Sequence, residues 1–301
     1  MKIVIAGGTG FIGKELNSHF TNNGEEVIIL GRSCDNSNPK EGKWDGKSLG
    51  DWVDKLKGTD VLINLTGKSV DCRYTEENKR LIMDSRVNSI LVLEKAFLKL
   101  NEQPKVWLNA STATIYKNEL EKPNDEFSTK IGQGFSVEVA KKWETTLREI
   151  NLPNTRKIRL RITIVLGKKE GAYPVFKKMA KFGVGGRQGS GKQMFSWIHI
   201  IDLVNIVDFC IHNESISGAI NCSAPEQVSN QVFMKELRKS LKVFFGIPTP
   251  TLLLKIGAKI IGTEPELILK SRWVKSKKLE DLNFSFKFDT IVKALEDLKN
   301  K

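Results

Sequence analysis

The sequence predicts an α/β protein built on a doubly wound parallel sheet, and its order of segments and its composition support this prediction. The chain begins with an apolar strand, a glycine-rich turn and a helix, and strand-like and helix-like segments then alternate as far as residue 166. Its 301 residues are 40% hydrophobic and 28% charged, ordinary values for a globular protein that exclude a disordered or collagen-like chain. No apolar run approaches the roughly 20 residues that a bilayer crossing requires.

The first unit of the chain has the order strand, turn, helix, strand. Lys2–Ala6 is apolar and favours a buried strand, and the glycine-rich turn Gly7–Gly13 follows it directly. Lys14–Thr21 has the spacing of an amphipathic helix, and Val27–Leu30 is a second apolar strand. Because two parallel strands need such a crossover helix, this segment predicts a βαβ unit.

The same alternation continues through the first half of the chain. We predict further strands at Asp60–Leu65, Val106–Ala110 and Lys157–Ile164, and helices around Leu49–Leu56, at Ser85–Leu100 and at Phe135–Ile150. Strands that alternate with helices over so long a stretch are typical of a parallel sheet with helices on both faces.

After Gly167 the pattern changes. Residues 183–191 include five glycines and predict a flexible loop. We predict a helix at Leu203–His212 with Asp202 as its N-cap, and a late strand at Ala219–Cys222.

These patterns divide the chain into two predicted domains. Residues 1–166 and 199–223 predict a dinucleotide-binding domain of the Rossmann type. Residues 167–198 and 224–301 contain the glycine-rich loop and lysine-rich helices that Pro248 interrupts, and they predict a smaller substrate or lid domain.

The glycines of the first turn have the spacing GxxGxxG. Glycine at these positions permits a tight turn, close approach of the backbone to a diphosphate, and close packing of the helix on the strand. The helix that follows would offer its unsatisfied N–H groups to the phosphates. The alternative is a glycine-rich turn without a ligand, but the position inside a βαβ unit favours a dinucleotide. The motif predicts cofactor contacts from Gly7, Thr9, Gly10, Phe11, Ile12 and Gly13.

Gly31 and Arg32 stand at the end of the second strand. NAD-selective sites place an acid here for the ribose 2′-hydroxyl, whereas an arginine suits a 2′-phosphate because the two groups form charge-assisted hydrogen bonds. A solvated surface arginine is the alternative. The sequence therefore predicts NADP(H) as the cofactor.

The positive charge is large but dispersed. The chain has 48 Lys and Arg against 35 Asp and Glu, a formal net charge of +13. The lysines occur singly or in pairs, and no nucleic-acid-binding motif accompanies them. A solvated basic surface is the favoured interpretation, with attraction of an anionic small molecule and nucleic-acid binding as alternatives. We expect a small-molecule substrate and no nucleic-acid or membrane partner.

The four cysteines lie far apart and form no metal-ligand pattern. Cys34, Cys72, Cys210 and Cys222 include no CxxC pair and have no histidine-rich neighbourhood. In a chain of this length they indicate free thiols in a reducing environment. The sequence therefore predicts a cytoplasmic protein without a metal site.

Several further stretches carry a family resemblance. They include Lys2–Gly13, Gly31-Arg32-Ser33, Asn64-Leu65-Thr66-Gly67, Asp84-Ser85-Arg86-Val87, Lys142-Trp143-Glu144, Val165-Leu166-Gly167, Gly189–Gln193 with Trp197-Ile198-His199, and Ser223-Ala224-Pro225. With these stretches the chain resembles the extended short-chain dehydrogenase/reductase superfamily, and within it the atypical branch of epimerase family proteins, which are similar to sugar-nucleotide epimerases.

The resemblance implies further cofactor-binding residues. It places Leu65, Thr66 and Gly67 in a loop beside the adenine and ribose of the cofactor, and Val165 beside the nicotinamide. It also implicates Arg86 in cofactor binding, with a structural ion pair as the alternative. For His199 a packed, hydrogen-bonded histidine and a substrate contact remain equal alternatives.

The chain departs from the superfamily at its catalytic pair. Active members carry a tyrosine and, four residues later, a lysine whose charge lowers the pKa of the phenol. Here Ser136 and Ala140 stand where those residues are expected. The resemblance makes Ser111, at the end of the fourth strand, a candidate proton-transfer group, and Tyr116 in the next loop a candidate substitute for the tyrosine. The alternatives are a plain turn residue and a packed loop aromatic.

The functional hypothesis is an NADP(H)-binding, epimerase-like oxidoreductase. It would act, as a monomer or homodimer, on a small carbohydrate-like or nucleotide-linked substrate such as a nucleotide sugar. The absent tyrosine and lysine leave a second hypothesis open, an NADPH-binding module with little or no catalysis. A basic nucleic-acid-associated protein is a third hypothesis, and strongly salt-dependent binding would identify it.

Overall fold

A computed structural model of the chain describes residues 1–254 and 270–299. Its strands are, in chain order, β1 (Lys2–Ala6), β2 (Glu26–Gly31), β3 (Glu41–Lys43), β4 (Val61–Asn64), β5 (Val106–Thr112), β6 (Arg156–Ile162), β7 (Ile164–Leu166), β8 (Met194–Phe195), β9 (Trp197–His199), β10 (Gly218–Cys222) and β11 (Val228–Ser229). Seven of them form a parallel sheet in the order β10-β6-β5-β4-β1-β2-β3. This sheet confirms the predicted fold class.

Helices cover both faces of the sheet. The α-helices are α1 (Phe11–Asn22), α2 (Glu76–Leu100), α3 (Phe135–Glu149), α4 (Tyr173–Lys181), α5 (Ile200–His212), α6 (Asn230–Ser240), α7 (Lys277–Asp281) and α8 (Ile291–Lys299). Successive residues of β1 point to opposite faces, so Ile3 packs with Phe20 of α1 on one side and Val4 with Phe97 of α2 on the other. The sheet is therefore the middle layer of three.

Most predicted elements differ from the structure in their bounds, and one differs in type. The helix predicted at Ser85–Leu100 begins at Glu76, because the Thr75 hydroxyl accepts a hydrogen bond from the Asn78 backbone and caps an earlier turn. The strand predicted at Lys157–Ile164 ends at Ile162, and the chain then pairs with β9 as β7. The segment predicted as a helix around Leu49–Leu56 is a 3-10 helix at Asp51–Leu56.

The prediction that Asp202 is the N-cap of this helix was wrong. Helix α5 begins at Ile200, and His199 caps it by accepting a hydrogen bond from the Ile201 backbone at Nδ1, 3.2 Å away. The Asp202 carboxylate instead accepts backbone hydrogen bonds from Lys287 and Phe288 at 2.8 and 2.9 Å. These hydrogen bonds hold the C-terminal segment against α5. The local sequence around Asp202 does not reveal them, because the donors lie more than 80 residues away.

The glycine-rich loop at 183–191 is hydrogen-bonded to the chain that follows α6. The Ile247 backbone donates to the Gly183 carbonyl at 2.7 Å, and Thr249 donates to Arg187 at 2.9 Å. These bonds tie the loop that the glycines predicted to be flexible to a second segment. Nearby, the rings of Phe176, Phe195 and Phe233 form a compact aromatic cluster, in which Phe195 and Phe233 stack and Phe176 contacts both edge to face.

Candidate functional site

The glycine turn after β1 is too tight for side chains at several of its positions, among them Gly7 and Gly13. Gly7 has φ +76°, and a Cβ on it would lie 3.1 Å from the Thr66 backbone nitrogen. A Cβ on Gly13 would lie 2.5 Å from the Gly8 backbone, below any normal contact. Gly7 therefore lets the turn contact the loop after β4, and Gly13 lets α1 begin directly on the turn.

The amino end of α1 is open to an anion. Gly10 is the N-cap, so no side chain caps the helix, and its first turn contains no acidic residue. The first backbone N–H groups of a helix have no partner within the helix, and they carry its partial positive charge. Phe11, Ile12 and Gly13 occupy this turn, where these groups suit a diphosphate.

The glycine turn contacts the end of β2 through Thr9. A Cβ on Gly31 would lie 2.8 Å from the Thr9 methyl carbon and 3.1 Å from the sulfur of Cys34. Arg32 follows Gly31, is exposed, and forms no hydrogen bond or ion pair with any described residue. No described group therefore occupies its guanidinium.

The loop after β4 lies against the glycine turn. The Leu65 backbone donates to the Ala6 carbonyl at 2.8 Å, and the Thr66 backbone donates to the Asn64 side chain at 3.1 Å. The Thr66 hydroxyl oxygen is buried and has no hydrogen-bond partner within residues 1–254 and 270–299. Because a buried hydroxyl normally has a partner, this oxygen fits a polar group of a bound ligand.

Arg86 of α2 binds the loop after β4. Its guanidinium donates to the carbonyls of Lys68 and Ile82 at 3.0 and 2.9 Å, lies 4.8 Å from the Trp143 ring centre, and lies 3.0 Å from the site of a Gly67 Cβ. Burial lowers the pKa of Arg86 to about 10, so the side chain stays charged at neutral pH. Among the described residues Arg86 forms no ion pair, and its guanidinium is held by backbone carbonyls instead.

Phe11 links α1 to the segment after β7. A Cβ on Gly167 would collide with the Phe11 ring, and one on Gly171 would lie 2.9 Å from it. Val165 is half-buried, and its carbonyl accepts a hydrogen bond from the Ala172 backbone at 3.0 Å. The side chain of Phe11 thus fixes the position of the segment that carries Val165.

Ser111 belongs to a buried polar network at the carboxyl end of the sheet. Its hydroxyl donates to Glu144 of α3 at 2.7 Å, and Arg161 of β6 donates to both carboxylate oxygens of Glu144 at 2.8 Å. Burial alone would raise the pKa of Glu144, but Arg161 outweighs it and holds that pKa below its usual value. The carboxylate is therefore ionised, and the Ser111 hydroxyl hydrogen is directed towards it.

Tyr116 lies in the same network. Its hydroxyl accepts a hydrogen bond from Arg161 at 2.7 Å and donates one to Asn221 at 2.9 Å. Burial raises the pKa of Tyr116 to about 12, although Arg161 acts in the opposite direction. The phenol keeps its proton at neutral pH, and it contacts two protein groups.

The network continues into the C-terminal part of the chain. The Asn221 side chain donates to the Lys275 carbonyl at 2.9 Å, and its backbone donates to Glu126 at 2.8 Å. Glu126 also accepts a hydrogen bond from the Ser276 hydroxyl at 2.6 Å. Hydrogen bonds thus connect Ser111 at the strand end to the segment before α7.

Two threonines near Ser111 were missed by the sequence reasoning. Thr112 is the last residue of β5, is partly exposed, and donates to the Thr114 hydroxyl at 2.9 Å. Ligands of doubly wound sheets bind at the carboxyl ends of strands, so Thr112 and Thr114 are as well placed by topology as Ser111. A second hydroxyl residue directly after Ser111 was the signal that could have revealed them.

His199 is a packed residue. Its side chain is 2% exposed, caps α5, and lies with its ring centre 3.9 Å from that of Phe288. Burial lowers the pKa of His199 to about 4 against the opposing effect of Asp297, whose carboxylate lies 3.4 Å from Nε2. Of the two alternatives, these contacts favour the packed, hydrogen-bonded histidine.

Neither a metal cluster nor a membrane-spanning helix is found in the described residues. No group of three or more His, Cys, Asp or Glu side chains there could hold a metal ion. No helix within that part of the chain is long and apolar enough to cross a bilayer.

Known protein families match most of the chain. The profile of the NAD dependent epimerase/dehydratase family matches residues 3–223, and a domain of unknown function, DUF1731, matches residues 249–298. An epimerase family protein of Staphylococcus aureus (strain MW2) is 32% identical over 296 residues, which is 98% of each chain. Epimerase family protein YfhF of Bacillus subtilis is 32% identical over 305 residues, 99% of this chain and 98% of YfhF.

Solved structures share the fold. The human epimerase family protein SDR39U1, whose crystal structure contains NADPH, is 26% identical, with a TM-score of 0.89 over 99% of each chain. The nucleoside-diphosphate sugar epimerase of Corynebacterium glutamicum is 28% identical, with a TM-score of 0.79 over 98% of this chain and 57% of that one.

Proposed function

The chain belongs to the NAD dependent epimerase/dehydratase family, and we propose that it binds NADP(H) in preference to NAD(H) and acts as an oxidoreductase or epimerase-like enzyme. The observation that carries the cofactor preference is Arg32, an exposed guanidinium without a partner in the described chain, directly after the strand that contacts the glycine turn. A carboxylate at this position would repel a 2′-phosphate, whereas a guanidinium attracts it.

The rest of the proposed cofactor site follows from the same geometry. The glycine turn and the first N–H groups of α1, at Gly7, Thr9, Gly10, Phe11, Ile12 and Gly13, would hold the diphosphate, with Gly31 giving Thr9 room beside β2. Leu65, Thr66 and Gly67 would line the adenosine side, with Arg86 ordering their loop. Val165 would lie at the nicotinamide side. The bound cofactor would supply hydride transfer, and the protein would supply orientation and proton exchange.

We propose a small carbohydrate-like or nucleotide-linked substrate. The name of the Corynebacterium glutamicum neighbour, a nucleoside-diphosphate sugar epimerase, supports this class. Ser111 is the proposed proton-transfer residue, and ionised Glu144 orients its hydroxyl. Tyr116 is the weaker candidate because Arg161 and Asn221 occupy its hydroxyl both as acceptor and as donor, whereas the Ser111 oxygen accepts no hydrogen bond from any described residue.

A second candidate function is an NADPH-binding module with little or no catalysis. Helix α3 carries Ser136 and Ala140 where the superfamily places its tyrosine and lysine, and the phenol of Tyr116 is not poised for proton exchange. Under this hypothesis NADPH binds but no substrate is turned over.

One experiment separates the two functions. NADPH binding is measured by calorimetry, and NADPH oxidation is then followed by its fluorescence with a panel of keto sugars and nucleotide-linked keto sugars. Binding with oxidation supports a reductase. Because an epimerase returns its hydride and shows no net oxidation, epimer formation from the same sugars is followed by NMR, and binding with neither change supports the module. If NADPH does not bind, both proposed functions are overturned.

We also propose a reducing cytoplasm as the location. Cys34, Cys210 and Cys222 are buried free thiols, and Cys72 is a partly exposed one. Four thiols without a disulfide fit a reducing compartment.

We propose that the protein is a monomer or a homodimer. Gel filtration with light scattering tests this oligomeric state.

A further inference from the structure

A second surface lies on elements that do not form the candidate site. It consists of residues 173–187, which include α4, and residues 235–249, which begin in α6. The two segments adjoin because Ile247 donates to the Gly183 carbonyl at 2.7 Å and Gly186 donates to the Ile247 carbonyl at 3.2 Å. Phe245 lies over Gly183, 3.4 Å from the site of a Cβ on that glycine. We call these two segments together the basic apolar surface.

Large apolar side chains are exposed together on this surface. Phe244 is 100% exposed, Phe182 74% and Phe245 67%, and Ile247 and Val184 are exposed beside them. Single exposed apolar residues are ordinary, but a contiguous group of them marks an interaction site. Covering a fully exposed aromatic ring buries a large apolar area, which favours binding of a partner at this place.

Much of the positive charge of the chain lies on the same surface. The two segments carry eight basic residues and one acidic residue, Glu236, and thus more than half of the net charge of +13. Lys178, Lys181 and Lys242 are exposed and form no ion pair with any residue that the structure describes. The lysines look dispersed in the sequence, but the fold brings them together.

The apolar and basic side chains alternate in space. Val175, Lys178 and Phe182 lie three and four residues apart at the end of α4, and therefore on one face of the chain there. Lys242 lies just after the end of α6 and two residues before Phe244. A partner that binds this surface must therefore offer both negative charges and apolar groups, and the two must lie no farther apart than one side chain is long.

This requirement selects among occupants. A second copy of the chain would bring like charges together, which is unfavourable. A single-stranded nucleic acid offers phosphates and bases that stack on rings, but it offers no apolar layer for Val184 and Ile247. An anionic phospholipid surface offers both phosphate headgroups and acyl chains at the depth of a side chain.

We propose that the basic apolar surface docks the protein on anionic phospholipid membranes from the aqueous side. Phe244, Phe245 and Phe182 enter the boundary between headgroups and acyl chains, while Lys181 and Lys242 contact lipid phosphates. This proposal replaces the sequence-based expectation of no membrane partner. It does not depend on the proposed cofactor or reaction, because it rests on other residues.

Vesicle flotation tests the proposal with the full chain. Vesicles of phosphatidylcholine alone are compared with vesicles that also contain phosphatidylglycerol, at low and at physiological salt. We expect binding only to the anionic vesicles, and weaker binding as salt rises. The double variants Phe244→Ser/Phe245→Ser and Lys181→Glu/Lys242→Glu should each lower the vesicle partition coefficient at least about tenfold.

Matched variants control for loss of apolar area and of charge elsewhere. Phe127→Ser with Leu120→Ser removes exposed apolar side chains from another loop, and Lys95→Glu with Lys141→Glu reverses charges on α2 and α3. These variants should bind anionic vesicles as the unmodified protein does. Circular dichroism melting checks that every variant is folded.

Four results would overturn the proposal. They are no binding to anionic vesicles, binding that the two surface variants leave unchanged, tight binding to single-stranded RNA with no binding to vesicles, and a stable dimer that buries Phe244 and Phe245 in solution.

Discussion

Arg161 donates two hydrogen bonds to the carboxylate of Glu144, from Nε to Oε1 and from Nη2 to Oε2, each 2.8 Å long. Both side chains are at most 10% exposed. Removing one partner of such a buried pair leaves the other charge without compensation, which costs more than the pair itself contributes.

Glu144→Gln should therefore destabilise the protein by about 3 kcal/mol. Urea unfolding at pH 7 measures the free energy. Glu149→Gln, an exposed residue of the same helix, is the control and should change stability by less than about 0.5 kcal/mol. Equal stability of the two variants would contradict a structural role for the pair.

The hydroxyls of Ser111 and Tyr116 should contribute differently. Ser111→Ala removes the group that Glu144 orients and should lower turnover while NADPH affinity stays unchanged. Tyr116→Phe removes the hydrogen bonds that the phenol forms with Nη1 of Arg161 and Oδ1 of Asn221, and it should cost about 1 to 2 kcal/mol of stability. Turnover with the identified substrate and urea unfolding are compared for both variants. Unchanged turnover in Ser111→Ala would remove it from the mechanism.

Gly13→Ala should reduce both cofactor affinity and stability. The added Cβ would lie 2.5 Å from the Gly8 backbone, so the glycine turn must move away from α1. We expect a loss of about 2 kcal/mol in unfolding free energy and at least about tenfold weaker NADPH binding. Gly50→Ala is the control, because a Cβ there meets the Trp52 ring at an ordinary 3.5 Å. A variant with unchanged NADPH affinity would show that the turn does not approach the diphosphate.

His199 should make stability depend on pH between 6.5 and 4. Its pKa is about 4 in the folded chain against 6.5 normally, so the unfolded chain binds the proton more readily. Stability therefore falls as the pH drops from 6.5 to 4, by about 3 kcal/mol from this residue, and its contribution does not change further below pH 4.

The variant His199→Asn retains a capping side chain and should lose this part of the pH dependence. His212→Asn, at a 59% exposed histidine, should retain it. Unfolding free energies at several pH values distinguish the two variants. If all three proteins had the same pH profile, His199 would not be the buried titrating group.

The sequence predicted those parts of the fold that depend on local patterns. The unit from Lys2 to Leu30 could be recognised because strand, glycine turn and helix follow one another without interruption, and apolar spacing alone distinguishes them. Arg32 could be singled out because its place at a strand end follows from that unit. The structure confirms the order of these elements and the parallel sheet.

The rest depends on residues that are distant in the sequence. Glu144 and Arg161 lie on different elements, and nothing near either one predicts the pair. Asp202 had the local appearance of an N-cap, but backbone donors at Lys287 and Phe288 bind its carboxylate. Tertiary contacts of this kind override local preference, as they also do where β6 ends and β7 begins.

The selectivity for the 2′-phosphate tests the central claim most directly. Calorimetry compares NADPH with NADH for the unmodified protein, for Arg32→Gln, and for Lys95→Gln as a control that loses one exposed charge on α2. We predict that the unmodified protein binds NADPH at least about tenfold more tightly than NADH. In Arg32→Gln the affinity for NADPH should fall to that for NADH, which should itself stay unchanged. Lys95→Gln should change neither affinity. Equal affinity for the two dinucleotides, a preference for NADH, or a preference for NADPH that survives in Arg32→Gln would contradict it.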